Sequence, residues 1–348
     1  MKPVKIAMIG TGHDHSGDCF RSLLKNSDCF EVVGLCEPTE EYRYRVEGER
    51  AQKIFVGAKR YTLEELLSMD DLEAVAVEAG KEYGVTYAQM FAERGLPVFI
   101  DKPGCTDLPR WEKFITTMKE KQLPMQLGYM YRFNPVIAAA IERAKRGELG
   151  EIFAVEAQMS VRHETNKRKW LRRYKGGTMF FLGCHLIDLI CEIQGFPTEI
   201  ISHCTQTGNE DIDCDDYGFA LLKYPNGVSF AKTCSSEVNG FDRRQLVISG
   251  TKGTIEIRPL EITIGPNDKR TVGKITTLDT AKCWEDGSTP LEPADFNRHD
   301  AMMRYFAMTV RGLVPRHRSY DYELELLRCV IKACGADEDV FLPGRVER

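Results

Sequence analysis

Two residues of this 348-residue chain stand where acid–base chemistry is easiest to build: a lysine at the end of an apolar run, and a histidine three residues ahead of an aspartate. Lys102 follows Val98-Phe99-Ile100-Asp101 and precedes Pro103-Gly104, so a β-forming run stops just before it. In an open parallel α/β sheet, ligands bind outside the carboxyl ends of the strands, and an ammonium drawn out of water there moves into the acid–base range. An isolated lysine at such a place is more often a surface residue with a buried stem, so its surroundings decide. His185 lies in Gly183-Cys184-His185-Leu186-Ile187-Asp188, after Gly176-Gly177. His185, Asp188 and Glu192 fall at i, i+3 and i+7 on one helical face, while Leu182, Leu186, Leu189, Ile190 and Ile193 form the apolar stripe. A histidine beside a carboxylate acts as general acid or base with its tautomer set by that carboxylate.

A third cluster sits near the N-terminus. A strand predicted over 4–9 runs into Gly10-Thr11-Gly12-His13-Asp14-His15-Ser16-Gly17, ahead of a helix predicted over 18–25. Strand, glycine turn and helix are the parts of a dinucleotide site. The first glycine permits the turn, the second admits the pyrophosphate, and the helix N-terminus supplies donors. His15 takes the third glycine position. Glu37 follows the second predicted strand, 31–36, where a carboxylate accepts both ribose hydroxyls of adenosine and repels a 2′-phosphate. The expected cofactor set is Gly10, Thr11, Gly12, His13, His15 and Glu37 with Lys102. NAD is the expected dinucleotide, with NADP kept open by the nearby Arg43 and Arg45. His13 and His15 flank Asp14 in a pattern that suggests a metal, but no third and fourth ligands follow at a recognisable spacing, so no metal is expected.

These residues need elements to carry them. Strands over 4–9, 31–36, 74–78, 98–100 and 125–129 alternate with helices over 18–25, 62–69, 84–94 and 108–121, which predicts a doubly wound parallel sheet. Beyond residue 150 strand signals dominate, with hairpin turns at Pro225-Asn226-Gly227 and Gly250-Thr251-Lys252-Gly253. The fold class is therefore α/β: an N-terminal Rossmann domain over 1–125, and a C-terminal α/β domain over 126–348 with an open, mostly antiparallel sheet. Helices over 183–194, 295–311 and 320–334 are expected to cover one face of that sheet. The other face is free for a second copy, giving a homodimer or homotetramer. Between the first strand of the second domain and the His185 helix, seven cations fall within residues 162–175. Such a run is usually a solvated loop; it also suits an anionic sugar, with Arg162 as a contact and Trp170 as a stacking face.

Composition narrows the class further. Hydrophobic residues are 43% and charged residues 28%, with a formal net charge of -5, so no basic field points to nucleic acid. The first residues are too short an apolar run for a signal peptide, and no run reaches the length of a membrane span. Twelve cysteines without a C-x-x-C pair read as small buried hydrophobes, which fits a cytoplasmic protein.

Taken together, the motifs resemble the glucose-fructose oxidoreductase, inositol dehydrogenase and MocA family. The resemblance rests on Ile9-Gly10-Thr11-Gly12, Asp101-Lys102-Pro103, residues 128–135 (Gly-Tyr-Met-Tyr-Arg-Phe-Asn-Pro), Gly147-Glu148-Leu149-Gly150-Glu151-Ile152 and Gly176-Gly177 through Asp188. It implies hydride transfer between a nicotinamide dinucleotide and a sugar, sugar-acid or cyclitol hydroxyl. It also implies that Lys102 meets substrate and nicotinamide and that His185 is the acid/base. Tyr129, Arg132, Asp188 and the 162–175 segment are then expected to hold the substrate's remaining hydroxyls. Three positions depart from the family pattern: His15 for the third glycine, Phe181 for an aspartate four residues before the histidine, and Ala79-Gly80-Lys81 for Thr-Pro-Asn. The departures keep two alternatives open. One is redox-neutral cleavage or elimination through a ketosugar with the hydride returned; the other is a silent relative that binds dinucleotide or sugar without turnover.

Overall fold

The computed structural model describes residues 1–265 and 268–345. Cα packing divides the chain into two compact units, one of 1–129 with 299–327, the other of 130–298 with 328–348. In the first unit the order is β1 (Val4–Ile9), α1 (Ser16–Lys25), β2 (Phe30–Cys36), α2 (Leu63–Leu67), β3 (Ala74–Val77), α3 (Gly84–Glu93), β4 (Val98–Ile100), α4 (Leu108–Glu120) and β5 (Met125–Leu127). The strands pair in parallel in the order β2-β1-β3-β4-β5. β3 and β4 are short apolar runs buried along their whole length, as strands covered by helices on both faces must be. The strand order reverses between β1 and β3, and the carboxyl ends of β1, β3 and β4 lead directly to Gly10, Glu78 and Asp101. That reversal is where an open α/β sheet leaves a crevice. Local sequence fixes the helix starts: Thr62 and Glu65 form a reciprocal capping box at α2, and Asp107 accepts the Arg110 amide at α4 with Pro109 in the first turn.

The second unit contains α5 (Pro135–Lys145), β6 (Ile152–Ser160), α6 (Thr165–Leu171), α7 (Cys184–Gln194), β7 (Glu199–Thr205), β8 (Tyr217–Tyr224), β9 (Gly227–Cys234), β10 (Gln245–Gly250), β11 (Gly253–Ile257), β12 (Ile262–Thr263), β13 (Asp268–Thr271), β14 (Gly273–Thr277), β15 (Thr289–Pro290) and β16 (Ala294–Asn297). Eight of these strands make one sheet, β15-β14-β11-β10-β6-β9-β8-β7, antiparallel except between β6 and β9. Both predicted turns join the hairpins β8–β9 and β10–β11. One sheet face is apolar and buried, with Val155, Ala157, Ala220, Leu222, Leu246 and Ile248, and α7 packs against β6 and β9. β12, β13 and β16 form a separate small sheet.

The chain then returns to the first unit with α8 (Asp300–Val310), while α9 (Tyr320–Ala333) runs across the division at 327/328. The sequence reading placed a single boundary at 125/126 and laid a helix over 295–311 on the second sheet. Instead residues 294–297 are a strand, and α8 packs with α1, β4 and β5: Ser22 Oγ donates to Asp300 at 2.8 Å, Gln126 donates to the Met302 carbonyl at 2.7 Å, and the rings of Phe99 and Phe306 meet edge-on. Among the described residues no helix is long and apolar enough to cross a membrane.

Candidate active site

The glycine turn after β1 is held by close approach. Gly10 has φ +80°, and a Cβ there would lie 2.5 Å from the Ala79 Cα; one on Gly12 would lie 2.6 Å from the Gly80 amide nitrogen. The turn thus lies directly on the segment that follows β3, a place open only to glycine. Thr11 is fully buried, and its amide and hydroxyl both donate to Glu37 Oε2, at 2.5 and 2.6 Å, while Glu37 Oε1 accepts the Thr39 amide at 2.9 Å. Glu37 is therefore oriented at the end of β2 by the turn itself. Arg45 donates to the Thr11 and His13 carbonyls at 2.6 and 3.2 Å, which brings a guanidinium against the turn that sequence reading treated only as a neighbour of Glu37. A turn without side chains at Gly10 and Gly12, an acid at the end of β2 and the N-terminus of the ten-residue α1 fit a dinucleotide.

The turn then delivers two imidazoles to the ends of β3 and β4. His15 Nδ1 lies 3.0 Å from Asp101 Oδ2, and His13 Nδ1 lies 3.2 Å from the same oxygen and 3.7 Å from Glu78 Oε2. The other Asp101 oxygen accepts the Lys102 amide at 2.6 Å, and Gly128 makes room for it, since a Cβ there would sit 2.7 Å from Oδ1. Lys81 Nζ reaches His13 Nε2 at 2.5 Å and donates to the Lys102 carbonyl at 3.1 Å. His13, Glu78, Lys81, Asp101 and Lys102 are all buried; His15 is the member that reaches the surface, its side chain 20% exposed. Burial and the Asp101 charge push the Glu78 carboxyl well above its ordinary range. Burial works in the same direction on Asp101, but His13, His15 and Lys102 outweigh it and hold that carboxyl well below. Burial, with Lys81, His15 and Lys102 adding to it against Asp101, pushes the His13 imidazole well below its ordinary range. Lys102, 1% exposed, is not the snorkelling surface lysine that its sequence alone would suggest. Tyr129, also buried, follows β5.

In the second unit, a π-helical turn over Met179–Gly183 leads into α7 and carries Phe181. His185 is 2% exposed, with the Tyr131 ring edge-on at 5.4 Å. Arg132 and Asp188, both expected to meet substrate, grip each other: Arg132 Nε lies 3.0 and 3.1 Å from the two carboxylate oxygens and Nη2 lies 2.7 Å from Oδ1. Glu192 faces Lys145 at 3.4 Å. The 162–175 segment is not a solvated loop but contains α6, whose Arg168 is buried against Glu210 (2.6 Å) and Asp216 (3.6 Å). Phe181 meets Trp170 and His163 at 5.9 and 5.8 Å between centroids, and the Lys167 ammonium lies over the Trp170 and Phe181 rings at 3.7 and 4.3 Å. Arg162 is exposed and, with His163, Glu164, Thr165, Asn166 and Glu210, lines a cavity of about 550 Å³. Glu78, Lys81 and Asp101 are the site residues to which sequence reading gave no role, and it took Arg45 only as a neighbour of Glu37. For Lys81 a signal existed, since it stands in one of the departures from the family pattern.

Residues 4–129 match the oxidoreductase family with an NAD-binding Rossmann fold, and residues 137–256 match the GFO/IDH/MocA C-terminal domain. D-apiose dehydrogenase of Paraburkholderia graminis is 21% identical over 269 residues, covering 74% of this chain and 68% of its own. The 2,7-anhydro-N-acetylneuraminate hydratase of Mediterraneibacter gnavus is 23% identical over 266 residues, with the same coverage. An oxidoreductase from Agrobacterium radiobacter, solved with NAD⁺, L-tartaric acid and magnesium, has the same fold, with a TM-score of 0.77 at 15% identity over 99% of this chain and 100% of that one. With both of its domains matched in turn, the chain belongs to the glucose-fructose oxidoreductase/inositol dehydrogenase/MocA family of NAD(P)-binding oxidoreductases.

Proposed function

We propose that the protein is an NAD-dependent dehydrogenase acting on a CH–OH group of a sugar, sugar acid or cyclitol. The observation that carries this reading is Lys102, a buried ammonium at the carboxyl end of β4 whose backbone is fixed by Asp101 and Lys81 on its two sides. Gly10, Thr11 and Gly12 with the α1 N-terminus would hold the dinucleotide phosphates, and Glu37 the adenosine ribose. Nicotinamide, when bound, supplies the hydride acceptor. Lys102 holds and polarises the substrate oxygen, and His185 takes the hydroxyl proton, so that the carbinol carbon loses hydride as its oxygen loses a proton. Glu37, seated on the Thr11 amide, favours NAD over NADP, because a 2′-phosphate would meet a fixed carboxylate.

The test is calorimetric titration with NAD and NADP, followed by a panel of sugars, uronates and cyclitols in the presence of the preferred dinucleotide. Binding of NAD with turnover of at least one polyol is expected; binding of neither dinucleotide would overturn the reading. Lys102→Met should cut turnover by about 10²–10⁴-fold, the usual worth of a positioned acid–base or electrostatic group, with NAD affinity retained. Unchanged turnover would remove Lys102 from the mechanism. A redox-neutral reaction is the second reading, favoured by Phe181 in place of the family carboxylate and by a relative that bears the name of a hydratase. Net NADH formation on mixing with substrate separates the two.

A further inference from the structure

The histidine pair of the glycine turn acquires carboxylate neighbours from two strands that lie far along the chain. Among the described residues, His13, His15 and Asp101 form the group whose donor atoms all lie within 4.8 Å of one another. Metal bonds of about 2.1 Å at tetrahedral or octahedral angles separate neighbouring donors by about 3.0–3.5 Å. The spacings of Asp101 Oδ2 to His15 Nδ1 and to His13 Nδ1, 3.0 and 3.2 Å, fall in that range. A second observation points the same way. Glu78 is wholly buried, its Oε2 lies 3.7 Å from His13 Nδ1, and the hydrogen-bonding groups beside its carboxyl are the Asp101 carboxylate and the thiol of Cys19, a weak donor. Two buried carboxylates side by side, with a thiol as the donor to one of them, need a shared proton or a cation.

We propose that His13, His15, Asp101 and Glu78 form a binding site for one divalent first-row transition ion, of the class that takes mixed imidazole and carboxylate ligands. Two neutral imidazoles and two carboxylates leave a bound M²⁺ electrically neutral and suit Mn²⁺, Fe²⁺, Co²⁺ or Zn²⁺. Outer contacts already orient the set: Asp101 Oδ1 is fixed by the Lys102 amide, so Oδ2 is the oxygen turned to the histidines, and His15 at the surface gives an entry path. Two groups oppose the ion: the His15 amide donates to His13 Nδ1 at 3.1 Å, so an ion on that nitrogen must displace this hydrogen bond, and Lys81 holds the other ring nitrogen. Lys81 Nζ stands 2.5 Å from His13 Nε2, and an ion on Nδ1 leaves the ring proton on Nε2, where an ammonium cannot accept it. The Lys81 ammonium and the metal therefore compete for His13.

This competition makes the site testable without substrate or dinucleotide, so the outcome is independent of the oxidoreductase reading. The metal-free full chain would be titrated with Co²⁺ and with Mn²⁺ by calorimetry, and the Co²⁺ form examined by visible absorption. One equivalent is expected per chain, with the d–d bands of nitrogen and oxygen ligation. His15→Ala and Glu78→Gln, each checked for native circular dichroism, should weaken binding by at least about 100-fold, since even outer-shell losses cost 10–100-fold. Lys81→Met should bind more tightly than the native chain. Absence of a stoichiometric ion in both the native protein and Lys81→Met would overturn the site. Cobalt–thiolate charge-transfer bands, or native affinity in folded His15→Ala, would place the ion elsewhere and overturn it equally.

Discussion

At the scale of single residues, Glu37 carries the choice of dinucleotide. One oxygen is committed to the Thr11 amide and hydroxyl, and Arg45 approaches the same turn from the other side. Glu37→Ala removes the acceptor for the ribose and the repulsion toward a 2′-phosphate together. NAD affinity should fall by roughly tenfold, about one charge-assisted hydrogen bond, while NADP affinity holds or rises with Arg45 now unopposed. Parallel calorimetric titrations check this, and an unchanged NAD/NADP ratio would remove Glu37 from cofactor selection. Arg132 and Asp188 behave differently. Each was named from the sequence as a substrate contact, yet they are 5% and 1% exposed and bound to each other. Asp188→Ala takes a bidentate carboxylate away from a buried guanidinium and should cost about 3–5 kcal/mol of stability, read from urea unfolding. A loss under 1 kcal/mol would mean that the pair is not buried in solution. The partnership was not legible because helical spacing pairs Asp188 with His185, whereas Arg132 lies 56 positions earlier. Glu78 was invisible for a related reason: it ends an apolar strand, and only the parallel pairing of β1 with β3 sets it beside the glycine turn.

The elements themselves were largely written in local sequence. All five parallel strands, and the hairpins at Asn226-Gly227 and Thr251-Lys252, follow from alternation, apolar runs and turn residues, which act over a few neighbours. What failed depended on distant partners. The cations of α6 looked like a solvated loop because Arg168 finds Glu210 and Asp216 only in the folded chain. α8 was assigned to the wrong sheet because an amphipathic helix does not state which core it covers. A salt link shows what ties that helix's end to the first unit. Arg311, just after α8, donates to the Lys2 and Pro3 carbonyls and to both oxygens of Glu73, which also accepts the Lys5 amide. The Arg311 guanidinium holds the Glu73 carboxyl down at about 2, against an ordinary 4.5. A folded value below the unfolded one means that the native state binds fewer protons there. The stabilisation is therefore complete above pH 4.5 and is lost as pH falls toward 2. Glu73→Gln should lower stability at neutral pH by roughly 1–2 kcal/mol, an allowance for partial exposure, and flatten the acid limb between those values. Thermal melts across that range test it; parallel acid limbs in the two proteins would discount the link.

For the whole molecule, the large sheet of the second unit raises the question of self-association. Cross-strand registers align Ile201, Leu221, Phe230, Glu156 and Val247 in one row, opposite to the buried face, and the ring of Phe219 stacks on Phe230 at 5.4 Å. Ile201 and Val228 are each 45% exposed. Eight strands about 4.8 Å apart span roughly 34 Å, and seven-residue strands run about 23 Å, so the face offers near 800 Å², the area one partner gives to a stable interface. That face mixes apolar residues with Glu156, Lys223 and Lys232, the composition of a protein interface, and apolar residues set so on an antiparallel sheet are covered more often than left to water. We expect the protein to form dimers or tetramers through this face. Light scattering should report a multiple of the monomer mass for the native chain and the monomer mass for the Ile201→Lys/Phe230→Glu double variant. Both substitutions lie away from the buried face, so the variant should keep native circular dichroism. A monomeric native chain, or an unchanged multiple in the folded variant, would rule this face out as the interface.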